Sequence, residues 1–220
     1  MKFLVLAVSY KKGGLCVAGL NLDTLEYVRI GYPSGNDCTP IPTWKFRHET
    51  INGETQLNVL DVIDIDVVKM VDNGCQTENY WLKNINSYDG KIAIDEIDAI
   101  YRNLGKYNYI FLNNFDYVDI EQINHIDYSL QFVKVENFTV TPYTDMKGNQ
   151  KLQAAFSYNG RKYYNIRVTD SVFSAYPNCY GNVQKVCSRR NAYIMVSLPY
   201  DEWSINYGRF YKYVSGIILV

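Results

Sequence analysis

The chain has 220 residues, of which 47% are hydrophobic and 20% charged, and its formal net charge is −1. This is globular composition and excludes a disordered chain or a coiled coil. Without an overall basic field, bulk charge cannot drive sequence-independent nucleic-acid binding, so only local basic patches remain for that role.

Residues 3–8 form a near-continuous apolar run of strand length. The run stops at Ser9-Tyr10-Lys11-Lys12 with no cleavage site, so it reads as a buried strand and not as a secretory signal. Lys11-Lys12-Gly13-Gly14 is a turn signal. Strands are expected at 15–20 and 25–30, completing a meander, with loop or edge structure over the Pro-, Gly- and Thr-rich residues 33–55. Residues 57–71 read as a strand with Val62, Asp64 and Asp66 on one face and Ile63, Ile65 and Val67 on the other. Residues 72–88 are polar and aromatic without clear periodicity. The best helix is 95–104, capped by Asp95, ended by Gly105, with Ile94, Ile97, Ile100, Tyr101 and Leu104 on one face. A short strand is expected at 109–112 and a helical turn at 119–125. Strands return at 128–143, 152–158 and 161–169, the last two joined by Asn159-Gly160, a strong hairpin signal. Residues 192–198 and 210–220 complete the pattern. It predicts a mainly β fold with minor α, built as two β domains meeting near residues 90–125.

Five cysteines (Cys16, Cys38, Cys75, Cys179, Cys187) without a CxxC pair, and only two histidines, do not spell a zinc site. His48 and His125 sit in connectors and read as packing or surface histidines. No run reaches membrane-spanning length, and a reducing, cytoplasmic setting is expected, with no cofactor and no membrane partner. Asp61, Asp64 and Asp66 read as a solvated strand face. Asp170, after Thr169, reads as a turn cap.

Other residues have two readings. The glycines of Lys11-Lys12-Gly13-Gly14 let backbone amides approach a ligand while the lysines meet a phosphate; the plainer reading is a hairpin turn with solvated lysines. Gln76-Thr77-Glu78-Asn79 lies beside Tyr80 and Trp81, so amides can read polar edges while rings stack; the plainer reading is a helix start. Arg29, inside an apolar strand, either points outward or holds an anion. Arg189-Arg190, near Lys185, is the other basic pair of note.

The run from Leu4 to Gly19, with its Ser-x-Lys-x-Gly-Gly turn and Cys16-Val17-Ala18-Gly19 strand, resembles the opening of the dual OB-containing domain family of bacterial proteins. Tyr27-Val28-Arg29-Ile30 is similar to that family's Trp-Ile-Arg-Pro element, with Tyr in place of Trp and no Pro. Leu60-Asp61-Val62, Gln76-Thr77-Glu78-Asn79, Val168-Thr169-Asp170, Val196-Ser197-Leu198 and the stretch from Tyr211 to Ile218 resemble later elements in the same order. The resemblance implies two tandem OB-like β-barrels with a short helical middle segment, over residues 1–115 and 116–220. It implies a nucleic-acid or nucleotide binder, often in host-defence settings.

The resulting expectation is a non-catalytic binding module for nucleic acid or a nucleotide-like ligand. A protein-interaction or sensor module serving a defence system is the alternative, and an enzyme acting on nucleotides or nucleic acid the third. The expected ligand-binding residues are Tyr10, Lys11, Lys12, Gly13, Gly14, Arg29, Gln76, Glu78, Asn79 and Trp81, with Thr169, Asp170 and Lys212 in the second half. Lysines and Arg29 would meet phosphate, Gln76 and Asn79 polar edges, and Tyr10 and Trp81 would stack.

Overall fold

A computed structural model describes residues 1–220 apart from 12, 35–36, 71–72 and 175–186. Lys12, Cys179 and Lys185 therefore lie outside the described residues. Two compact units divide the chain: Met1–Asp72 with Thr77–Leu104, and Asn73–Gln76 with Gly105–Val220.

The first unit contains β1 (Lys2–Lys11), β2 (Gly14–Asn21), β3 (Tyr27–Ser34), β4 (Asp37–Thr39), β5 (Arg47–Thr50), β6 (Gly53–Gln56), β7 (Asp61–Lys69), β8 (Asn79–Lys91) and α1 (Ile94–Asn103). Antiparallel pairs β1–β2, β2–β3, β7–β8 and β1–β7, with a parallel β3–β8 pair, close a ring of five strands. β4 adds to the outside of β3, and β5 and β6 form a separate hairpin. The core is filled from alternate positions by Phe3, Val5, Val17, Ile30, Ile63, Ile65 and Leu82, as the pleat dictates.

The second unit contains β9 (Tyr117–Asp119), α2 (Ile120–Ile123), β10 (Leu130–Thr144), β11 (Gln150–Tyr158), β12 (Arg161–Val168), α3 (Ser171–Ser174), β13 (Cys187–Ser197), α4 (Glu202–Tyr207), β14 (Arg209–Tyr211) and β15 (Tyr213–Leu219). Here the closed barrel runs β10-β11-β12-β15-β13, with β12–β15 as its parallel pair. Counted within each barrel, both rings have the order 1-2-3-5-4-1, with the third and fifth strands parallel. That shared order is the OB-type Greek-key closure, so two OB-like domains are present. Asn159 (φ 50°) and Gly160 (φ 73°) make the left-handed turn between β11 and β12 that the Asn-Gly pair predicts.

Four local expectations need correction. Gln76-Thr77-Glu78-Asn79 is not a helix start: Asn79 opens the long strand β8. Three register shifts against β7 switch the outward face repeatedly, which erases the alternation a sequence reading needs. Residues 109–112 are not a strand, because Phe111 (φ 48°) and Leu112 (φ 69°) are left-handed. Their segment is tied to the barrel through Ile110 N–H to the Tyr163 hydroxyl (3.1 Å) and Phe111 N–H to Gln131 Oε1 (2.9 Å).

The helix is capped two residues earlier than Asp95: the Ala93 N–H donates to Glu96 Oε2 at 2.8 Å, and Asp95 lies in the first turn. It ends at Leu104 in an extended conformation (φ −80°, ψ 151°), so Gly105 is not its left-handed cap. Finally, Asp61 is not part of a solvated face. It is 5% exposed and accepts from Asn58 N–H at 2.7 Å.

Candidate functional site

In the first barrel, Lys11 pairs with Gly14 at the end of the β1–β2 ladder, and Gly13 is left-handed (φ 84°). Glycine at 14 is needed for packing, since a Cβ there would lie 2.7 Å from Pro40 Cβ and 2.8 Å from the Ile41 carbonyl. Around Gly13 there is open space, and Tyr10 and Lys11 are exposed.

Arg29 has a defined local role. The parallel register sets it beside Asn79, and its backbone N–H donates to the Glu78 carbonyl at 2.7 Å. Its guanidinium reaches Glu78 Oε1 at 3.5 Å and Asn79 Oδ1 at 3.4 Å, with the two charged side chains 15% and 6% exposed. The positive charge is therefore held by a buried carboxylate. Cys16 lies within electrostatic reach of Lys11 and Arg29; burial nevertheless raises its thiol above the ordinary range.

Trp81 is half-buried with its indole N–H enclosed and without a hydrogen-bond acceptor. Gln76 belongs to the second unit, where its side-chain amide donates to the Leu198 carbonyl at 3.0 Å. His48 stacks on Tyr88 with ring centroids 3.9 Å apart, a packing role.

The second-half residues come together around the parallel pair. Thr169 N–H donates to the Val214 carbonyl at 2.8 Å. Asp170, 2% exposed, accepts Val172 N–H (2.9 Å) and Phe173 N–H (3.1 Å) on one oxygen and Ile217 N–H (3.0 Å) on the other. It is thus a turn cap that also ties β15. Burial pushes its carboxyl up to about 6, against the pull of those three donors. Lys212, 1% exposed, donates from Nζ to the Asn113 carbonyl and Oδ1, both at 2.8 Å. Burial pushes its amine down to about 7, while Asp116 acts weakly in the opposite direction.

The exposed chemistry of this unit lies on the outer faces of β11 and β12, which the sequence reading missed. Residues 145–167 hold five basic side chains (Lys147, Lys151, Arg161, Lys162, Arg167) against one acidic, Asp145. Register aligns Thr141, Gln153, Arg167 and Tyr213 across four neighbouring strands, with Tyr143 opposite Lys151. Arg167 sits over the Tyr213 ring, 5.8 Å from its centroid, and Tyr164 is 56% exposed. The alternation of 150–158 is the signal that would have placed Lys151 and Gln153 outward. Arg190, from the other basic pair, lines a cleft of about 500 Å³ with Glu136, Asn137 and Asn191.

The dual OB-containing domain family matches residues 1–217. The chain belongs to that family. No curated protein and no solved structure matches it. OB-type barrels bind on the face of their second and third strands. In this dual OB-containing domain those strands are β2 and β3, then β11 and β12. Among the described residues, no helix is long and apolar enough to cross a membrane.

Proposed function

We propose that the chain is a non-catalytic binding module for single-stranded nucleic acid, or a nucleotide-like fragment of it, held on the outer face of β11 and β12. The observation that carries this reading is the set of basic side chains on the strand pair that OB barrels use, with aromatic rings beside them on β12 and on the flanking strands β10 and β15. Lys151, Lys162 and Arg167 are spaced to meet phosphates, while Tyr143, Tyr164 and Tyr213 offer rings to bases. Gln153, in the same row as Arg167, has an amide able to read a base edge. In the first barrel, Tyr10 and Lys11 at the open Gly13 turn are the accessible members of the expected set. Arg29, Glu78 and Asn79 act there as a neutralised support. A cytoplasmic setting fits a ligand of this class.

The test is fluorescence anisotropy with a labelled oligothymidylate of about 15 nucleotides, a length within OB-type site sizes. Lys151→Ala/Arg167→Ala should weaken binding by about tenfold or more, and Lys11→Ala by less. Tight binding that survives the double substitution would reject this face.

A further inference from the structure

The second unit also presents a different surface, built by α4 and β14 between its fourth and fifth barrel strands and by residues 115–119 ahead of its first. β9 and β14 form a two-stranded sheet in which Tyr117 lies opposite Tyr211. Their rings are 5.9 Å apart, Phe115 stacks on Tyr117 at 6.1 Å, and Trp203 of α4 reaches Tyr211 at 5.9 Å and Tyr207 at 4.7 Å. The result is a row of five rings. Phe115, Trp203 and Tyr207 are 62%, 52% and 68% exposed. Rings of this size normally bury most of their area, so a row open at Phe115, Trp203 and Tyr207, with Tyr117 and Tyr211 half-buried between them, marks an interaction surface.

Charge decides the kind of partner. Residues 112–121 and 200–211, which carry the row, contain five acidic side chains and one basic one, Arg209. A phosphate backbone is repelled by such a surface, whereas a cation gains twice: from the ring faces and from the carboxylates. The row already holds one guanidinium in this way, since Arg209 sits 4.7 Å from the Tyr117 centroid. Trp203 and Tyr207 offer the same chemistry beside Asp201 and Glu202.

We propose that this acidic aromatic row docks a partner protein through an arginine- or lysine-bearing segment, whose cationic side chains lie over Trp203 and Tyr207 and pair with Glu202 and Asp119. This docking is independent of the nucleic-acid reading, because it uses different residues and the opposite charge.

The test is anisotropy with a fluorescein-labelled arginine-glycine repeat peptide, alongside a labelled oligothymidylate, on the full chain. The wild type should bind the peptide in a salt-sensitive manner. Trp203→Ala/Tyr207→Ala should weaken the peptide by about tenfold or more, and Glu202→Gln/Asp119→Asn should weaken it and flatten its salt dependence. Trp203→Phe/Tyr207→Phe should retain most of the affinity. Oligothymidylate binding should be unchanged in all three. Far-ultraviolet circular dichroism checks folding, and the exposure of both rings makes the variants tolerable. Absence of peptide binding, or binding indifferent to the ring and charge substitutions, overturns the proposal. Loss of oligothymidylate binding on Trp203→Ala/Tyr207→Ala also overturns it and would make the row a base-stacking platform.

Discussion

Lys212 offers the sharpest test of the second barrel. Its amine is 1% exposed, donates to two oxygens of Asn113 and, among the described residues, forms no ion pair with a carboxylate. In the unfolded chain such an amine titrates near 10.5, and in the fold it is pushed down to about 7. Between these values the unfolded state binds the extra proton, so raising the pH favours the folded state. The limiting slope is about 1.4 kcal/mol per pH unit. Taking both titrations together, the native state gains about 3 kcal/mol from this group between pH 6 and pH 9. The assay is urea denaturation of the wild type and Lys212→Met across that range. Subtracting the variant cancels the cysteines and tyrosines that titrate at the upper end. The wild-type advantage should grow with pH, starting negative or small at pH 6, where the ammonium is buried charged. A difference constant to within about 0.5 kcal/mol would show that the amine stays protonated in the fold and refute the reasoning.

Asp170→Ala should cost about 3–5 kcal/mol in urea denaturation, because it leaves three enclosed N–H groups of Val172, Phe173 and Ile217 without an acceptor. With its carboxyl raised from 3.8 to about 6, the stabilisation from its folded-state protonation is present below pH 3.8 and lost by pH 6. That loss is worth about 3 kcal/mol in the wild type and should be absent in Asp170→Asn. Gly19→Ala should lower the melting transition sharply, by about 3 kcal/mol or more, since a Cβ would sit 1.8 Å from the Leu4 carbonyl oxygen.

The barrels were legible where side chains alternate regularly or where a turn demands special residues. The apolar run of β1, the Asn159-Gly160 turn and the outward Asp66 all follow from period-two patterning and left-handed turn chemistry. β8 was not, because its register shifts scramble the period. α4 was missed although Asp201 accepts the Ser204 N–H and Gly208 (φ 65°) ends it, a cap-and-stop signature too short to outweigh its neighbours. The expected site residues divide for a physical reason. Arg29, Glu78, Asp170 and Lys212 are polar groups in otherwise apolar surroundings, which drew attention to them. The structure shows each one meeting backbone or side-chain partners within its own unit. The half-buried outward row of Lys151, Gln153 and Arg167 becomes legible only when register sets it beside Tyr143 and Tyr213.

The salt dependence of oligothymidylate binding tests the central claim most directly. Each phosphate neutralised on a single strand contributes a slope of about −0.7 to log K against log salt. Removing Lys151 and Arg167 together should therefore make the wild-type slope shallower by about 1.4 if both meet phosphates on the β11–β12 face. An unchanged slope, or no binding of a folded protein at low salt, would contradict the account.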